Sequence, residues 1–271
     1  MTMQNFKYRA AVFSTVILLL CMGMDGRVAM KERPASVYEH TTLALVWFQT
    51  SAECRALYYQ AFNTARLILD NDLRSQSNRK KRAIVFDIDD TILDDSPHSV
   101  MLLKANKLFP YRYDEWIEAA KEEALPGALE FAQYAASRGV AIFYISNRTT
   151  KMLKATVRNL KTAGFPQAEE SHVLLMGDDG SKEDRRKSVA ANHEIVLLLG
   201  DNLNDLSNVF ENKSVAGRFA ESDKLREEFG SRFIVLPNPV YGAWESAVYD
   251  NKSNLSEDEK DAKRKSVLRS Y

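Results

Sequence analysis

Four short runs in this sequence place polar, chemically capable side chains directly after apolar stretches or at a helix start. The first is Val85-Phe86-Asp87-Ile88-Asp89-Asp90-Thr91-Ile92-Leu93. Asp87 and Asp89 are two residues apart, so in extended backbone their carboxylates project to one side. Neighbouring carboxylates repel, which drives their pKa values apart unless a cation intervenes. Such a pair suits an ionised nucleophile or metal ligand beside a group that holds and gives a proton. An Asp-rich turn or helix N-cap is the plainer alternative. The second run, Ser146-Asn147-Arg148, offers a hydroxyl and free backbone N–H groups able to hold an anionic oxygen, or simply an N-cap. In the third, Gly180-Ser181-Lys182-Glu183-Asp184-Arg185, Lys182 opens a helix and by composition alone reads as a solvated lysine. The fourth is Gly200-Asp201-Asn202-Leu203-Asn204-Asp205. Its acidic oxygens suit a hard cation, Mg²⁺ above all, and equally an Asx-turn.

These runs need a frame to bring them together. Residues 83–86, 140–145 and 195–199 are continuously apolar and read as buried strands, with 173–176 and 233–236 as further ones. Helical patterns at 128–137, 149–162 and 182–191 separate them, with Gly139 and Gly164 placed as C-terminal stops. Residues 43–73 read as one long helix. Strand–helix alternation predicts an α/β fold, a Rossmann-like parallel sheet with helices on both faces plus a smaller helical subdomain. In such sheets ligands bind beyond the carboxyl ends of the strands, where these polar runs fall.

The 271 residues carry 37 Lys+Arg against 37 Asp+Glu, a balance that argues against a nucleic-acid polymer as partner. Two cysteines exclude a disulfide scaffold or a Cys-rich metal module. Lys7 and Arg9 precede an uncharged stretch at 10–24, which as a helix reaches about 22 Å and falls short of a roughly 30 Å hydrocarbon core. Residues 1–23 therefore read as a signal peptide or N-terminal anchor, with Cys21 a candidate for lipidation although Leu20 precedes it. The expectation is an exported protein, periplasmic, secreted or attached to the outer membrane, touching a membrane only through that segment. Residues 24–271 form one domain, with its core at about 80–250 and helical additions at about 40–75 and 96–125. Monomer and homodimer both stay open.

Taken in order, D-x-D-x-T, S-N-R, Lys and G-D-N-x-x-D resemble the signature of the haloacid dehalogenase superfamily of phosphohydrolases. Asp87-Ile88-Asp89-Asp90-Thr91-Ile92-Leu93-Asp94, Trp47-x-Gln49-x-Ser51-x-Glu53, Leu125-Pro126-Gly127-Ala128 and Pro237-Asn238-Pro239-Val240-Tyr241-Gly242-Ala243-Trp244-Glu245 are similar to one branch. That branch is the class C, or lipoprotein-type, bacterial nonspecific acid phosphatases, the DDDD phosphohydrolases. Asp95 and His98 stand where that branch often has an asparagine and an aromatic.

The resemblance implies a phosphoric monoester hydrolase with a small-molecule phosphomonoester substrate and an aspartyl-phosphate intermediate. Asp87 would attack phosphorus, Asp89 would act as acid and then base, and Thr91 would orient the nucleophile. Ser146 and Lys182 would hold the transferring phosphoryl oxygens, with Asn147 and Arg148 on the substrate. Asp87, Asp201, Asp205 and the carbonyl of Asp89 would hold Mg²⁺. Tyr113 and Tyr241 would stack on a nucleotide base, while Trp116 and Trp244 read as packing. A phosphotransferase using the same intermediate, or a surface nucleotide- or haem-binding protein on a phosphatase scaffold, are the alternatives. Residues 256–271 read as a solvated helix opened by a capping box of Ser256 and Glu259.

Overall fold

The apolar runs become the strands of one parallel sheet in a computed structural model that describes residues 38–75, 80–177 and 181–271. The strands are β1 (Lys81–Phe86), β2 (Ala141–Thr149), β3 (Val173–Met176), β4 (His193–Gly200) and β5 (Phe233–Val235). Their order is β3-β2-β1-β4-β5, and every neighbouring pair is parallel. β1 is central, and its Ala83, Ile84, Val85 and Phe86 are all buried.

Alternation along the strands feeds two cores, one on each face. Ile84, Phe86, Ile142 and Tyr144 point to the larger one, and Ala83, Val85, Phe143 and Ile145 to the smaller. Burial of one such side chain stabilises by about 1.5–3 kcal/mol. The larger core is covered by α1 (Thr42–Thr50), α2 (Ala52–Arg74), α5 (Ala128–Ser137) and α6 (Leu153–Thr162). Between these in sequence lie α3 (Ser96–Ala105) and α4 (Tyr113–Ala119). The smaller core is closed by α7 (Lys182–Asn192) and the single turn α8 (Leu203–Leu206). α9 (Val215–Lys224), α10 (Ala243–Val248) and α11 (Glu257–Ser266) complete the chain, and the capping box of Ser256 and Glu259 opens α11.

Two expectations need correction. The helix expected at 43–73 is broken at Ser51, whose extended backbone (ψ 133°) ends α1 and whose hydroxyl accepts the Cys54 N–H at 3.0 Å to start α2. The second strand does not stop at residue 145 but continues to Thr149, with a register shift against β3 between Ser146 and Thr149. Ser146-Asn147-Arg148 is therefore irregular strand, not the mouth of a helix. The leader expected at 1–23, with Cys21, lies outside the described residues. Among those described, no helix is long and apolar enough to cross a membrane.

Candidate active site

β1 ends at Phe86, yet the Asp87 N–H still donates to the Leu199 carbonyl of β4 at 2.9 Å. The chain then turns sharply. The N–H groups of Ile92 and Leu93 both donate to the Ile88 carbonyl at 3.0 Å, and Asp90 takes φ +51°, a left-handed conformation that Asp tolerates better than most residues. Asp90 Oδ1 accepts the Asp95 N–H at 2.9 Å and holds the turn. Asp87 and Asp89 thus line one cavity of about 650 Å³ beyond the carboxyl edge of the sheet. They reach it through a tight turn rather than the extended backbone that two-residue spacing suggests.

Asp87, Asp201 and Asp205 form the first cluster, each offering an oxygen within 4.8 Å of the others. Asp201 follows β4, and Asp205 lies on α8. Asp205 Oδ2 accepts the Asn202 N–H at 3.0 Å in a capping box, leaving Oδ1 to face the Lys182 ammonium at 2.7 Å. Turn-forming and charge-binding roles therefore coexist in one side chain. Gly200 is required here because a Cβ would lie 2.4 Å from the Asp205 Cβ. Lys182 also pairs with Asp87 Oδ1. Thr91 Oγ1 lies 3.1 Å from Asp87 Oδ2 and 3.2 Å from Asp201 Oδ1, one donor between two acceptors. Burial pushes Asp87 up to about 7 against the pull of Lys182, and burial with Asp205 and Asp87 raises Asp201 well above the carboxylate range. Three carboxylates around one ammonium leave negative charge uncompensated. A hard divalent cation fits that donor set.

The second cluster, Asp89, Asp95 and Glu122, is equally tight. Its cation is Arg148, whose side chain is fully buried. Nε and Nη2 donate to Asp89 Oδ1 at 3.0 and 2.8 Å, Nη2 also pairs with Glu122 Oε1, and Nη1 lies 3.3 Å from Thr156 Oγ1. Ser146 Oγ donates to Asp89 Oδ2 at 3.0 Å, and the Tyr113 hydroxyl to Asp89 Oδ1 at 3.1 Å. Burial alone would raise Asp89, but Arg148 and these hydrogen bonds outweigh it and hold it below its ordinary value.

Asp87, Asp89, Tyr113, Asn147, Arg148, Lys182, Asp201, Asp205 and Tyr241 line this cavity, and Thr91 and Ser146 bond to residues that do, some in other company than the motifs suggest. Ser146 and Arg148 grip Asp89. Asn147 lines the cavity, with Oδ1 accepting from Arg185 at 3.3 Å. Tyr113 packs against His98 and Phe109, with ring centroids 5.2 and 5.0 Å away. His98 is buried on α3 with Nε2 3.0 Å from the Tyr111 carbonyl. Tyr241 lines the same cavity. Trp116 Nε1 donates to Asp95 at 2.6 Å, whereas Trp244 is 43% exposed.

Sequence reasoning missed Glu122, which sits in a charged run (Lys121-Glu122-Glu123) that reads as surface. It also gave no role to Asn238, whose Nδ2 donates to Asp201 Oδ2 at 2.7 Å while its Oδ1 accepts the Val240 N–H at 2.8 Å. An Asn flanked by Pro237 and Pro239 was a usable signal, since it marks a fixed turn. Residues 256–271 are not wholly solvated: Lys260 lines the cavity, and Arg264 Nη1 donates to the Tyr249 hydroxyl at 2.6 Å.

A profile of the HAD superfamily, subfamily IIIB (Acid phosphatase), matches residues 19–244. A structure of the class C acid phosphatase from Bacillus anthracis superposes with a TM-score of 0.84 at 45% identity, covering 88% of this chain and 100% of that one. A second structure of that protein, with tungstate bound, gives 0.85 at the same identity and coverage. The stem 28 kDa glycoprotein of Glycine max is 30% identical over 173 residues, 59% of this chain and 60% of its own length. Acid phosphatase 1 of Solanum lycopersicum is 27% identical over 167 residues, 58% and 57% of the two chains. The match spans less than two thirds of those plant relatives.

Proposed function

Because the chain belongs to the HAD superfamily, subfamily IIIB, the acid phosphatases, we propose that it is an exported, Mg²⁺-dependent acid phosphatase. Its substrates are small phosphomonoesters, 5′-nucleotides among them. The observation that carries this reading is the meeting of Asp87, Lys182, Asp201 and Asp205 at one edge of the cavity with Asp89 beside them. The tungstate-bound Bacillus anthracis structure supports an oxyanion as ligand.

Asp87 attacks phosphorus in line, the ester P–O bond breaks, and the phosphoryl group passes to the Asp87 oxygen as an aspartyl-phosphate. Asp89 gives its proton to the leaving alkoxide, then removes one from the water that releases phosphate. Arg148 holds Asp89 low in the free protein, and the negative charge of a bound phosphoryl group beside it raises it toward the protonated form. This accounts for activity on the acid side of neutral. Lys182 offsets the repulsion between a carboxylate nucleophile and an anionic ester. A divalent cation would be held by Asp87, Asp201, Asp205 and the Asp89 carbonyl and would supply further positive charge for the same purpose. Thr91 fixes the Asp87 carboxylate, and Asn147 faces the phosphoryl group from β2. Tyr241, with Tyr113 and Phe109 across the cavity, offers aromatic surface to a base. Export rests on the charge and hydropathy pattern of residues 1–23.

Purified protein should hydrolyse a chromogenic phosphomonoester below neutral pH, lose that activity to a chelator and regain it with Mg²⁺. Undiminished turnover after exhaustive chelation would remove the cation from the reading. Phosphate appearing on an added alcohol instead of in solution would make the protein a phosphotransferase.

A further inference from the structure

Glu122 does not itself line the cavity and is 4% exposed, yet its carboxylate pairs with Arg148, which does. Its backbone is held from both sides. The Glu122 N–H donates to Asn159 Oδ1 at 3.0 Å, and Asn159 Nδ2 donates to the Glu122 carbonyl at 2.9 Å. Next to it, the Asp94 N–H donates to the Glu123 carbonyl and the Leu125 N–H to the Ile92 carbonyl, both at 2.9 Å. The segment carrying Glu122 is therefore stitched to α6 on one side and to the loop after Asp89 on the other. From this fixed base Oε1 pairs with Arg148 Nη2, the same nitrogen that lies 2.8 Å from Asp89 Oδ1. Thr156 takes the other guanidinium nitrogen, Nη1.

A guanidinium is a rigid planar fork, so fixing one edge fixes the direction of the other. We infer that Glu122 is a positioning residue: it anchors Arg148 so that the fork holds the Asp89 carboxyl facing the leaving-group oxygen. Without Glu122, Arg148 keeps Asp89 and Thr156 as partners but loses its anchor on the rigid segment, and Asp89 swings with it. Glu122 then matters in proportion to how much the leaving group needs a proton. This inference rests on the phosphatase reading above and deepens it.

The test compares kcat/KM, which reports the steps through leaving-group departure, for glycerol phosphate and p-nitrophenyl phosphate in wild type and Glu122→Met, which removes the acceptor for Arg148 whatever the protonation of Glu122. The alkoxide of glycerol must be protonated as it leaves, whereas nitrophenolate departs as the anion. Glu122→Met should lower kcat/KM for glycerol phosphate by roughly tenfold or more and that for p-nitrophenyl phosphate by no more than about twofold. A merely structural role would depress both equally. Equal losses, or no loss on either ester, overturn the inference while leaving the phosphatase reading intact. Wild-type protein inactive on both esters overturns the reading and the inference together. If Glu122→Met does not fold, Glu122→Asp keeps the carboxyl group but shortens the reach by one methylene, and the same selective loss is expected.

Discussion

The two acidic clusters among the described residues each contain three carboxylates, and in each a basic side chain pairs with two of them. In the first, Asp87 and Asp205 pair with Lys182, a compact point charge on a flexible stem, and Asp201 lies beside them. In the second, Asp89 and Glu122 pair with Arg148, a planar fork with fixed donor directions, and Asp95 lies beside them. The first group opens on the cavity, where its excess negative charge can be met by a cation and by the substrate's needs. The second group runs inward from Asp89 to Glu122, where the hydrogen bonds fix geometry. The same composition thus serves charge compensation in one place and orientation in the other, and the type of cation tells them apart.

The first cluster breaks most completely at Asp87. Asp87→Asn is predicted to lower kcat at least about 10³-fold, because it removes the nucleophilic carboxylate. Steady-state turnover of a chromogenic ester measures it.

Next in size is the contrast between the two cations. Arg148→Met leaves buried carboxylates unpaired and is expected to cost about 3–5 kcal/mol of stability at neutral pH, read from urea unfolding. Lys182→Met should cost less, and Mg²⁺ should recover part of that loss by replacing the missing charge. Mg²⁺ should recover nothing in Arg148→Met. Equal recovery in both variants would end the distinction between the clusters.

A smaller effect is the pH dependence of the inner cluster. Burial pushes Glu122 up from 4.5 to about 7, against the pull of Arg148. The folded protein therefore keeps a proton that the unfolded chain releases at lower pH, and folding takes up a proton between these values. Glu122 accordingly contributes stability below 4.5 that is lost as pH rises toward about 7. The thermal midpoint of Glu122→Gln should fall less steeply than that of wild type across this window. Parallel slopes would show that Glu122 does not titrate there.

The smallest effect lies on the cavity wall. Tyr241→Ala is predicted to raise KM for a 5′-nucleotide roughly two- to tenfold, the size of one aromatic contact, and to leave KM for a small aliphatic phosphate unchanged. Equal changes for both would dismiss a base platform.

Much of this was legible in the residues. The apolar runs ending at Phe86, Leu199 and Met176 correspond to strands because a strand buried on both faces has to be continuously apolar. The acidic runs after β1 and β4 fall at one edge because parallel strands all end on the same side. Less legible was α7, whose Lys182, Arg185 and Arg186 look like a solvated charged face yet are each 5–6% exposed. They turn inward to pin Asp87, the Ser146 carbonyl at 2.6 Å and the Asp205 carbonyl at 2.7 Å. A charge run carries no mark of whether its partners are water or the loops of another element.

The sequence by itself determined the parallel α/β sheet, the edge where chemistry gathers and the residue types able to act there, since these depend on local apolar patterning and on side-chain chemistry. Only the tertiary structure decided which cation each carboxylate meets. Asp87 and Asp89 are two positions apart, yet one faces Lys182 from α7 and the other faces Arg148 from β2. Glu122 joined the site only when the segment after α4 docked beside the loop following Asp89. The physical reason is that the energy of a buried charge is set by partners distant in sequence, at distances fixed only when the chain packs.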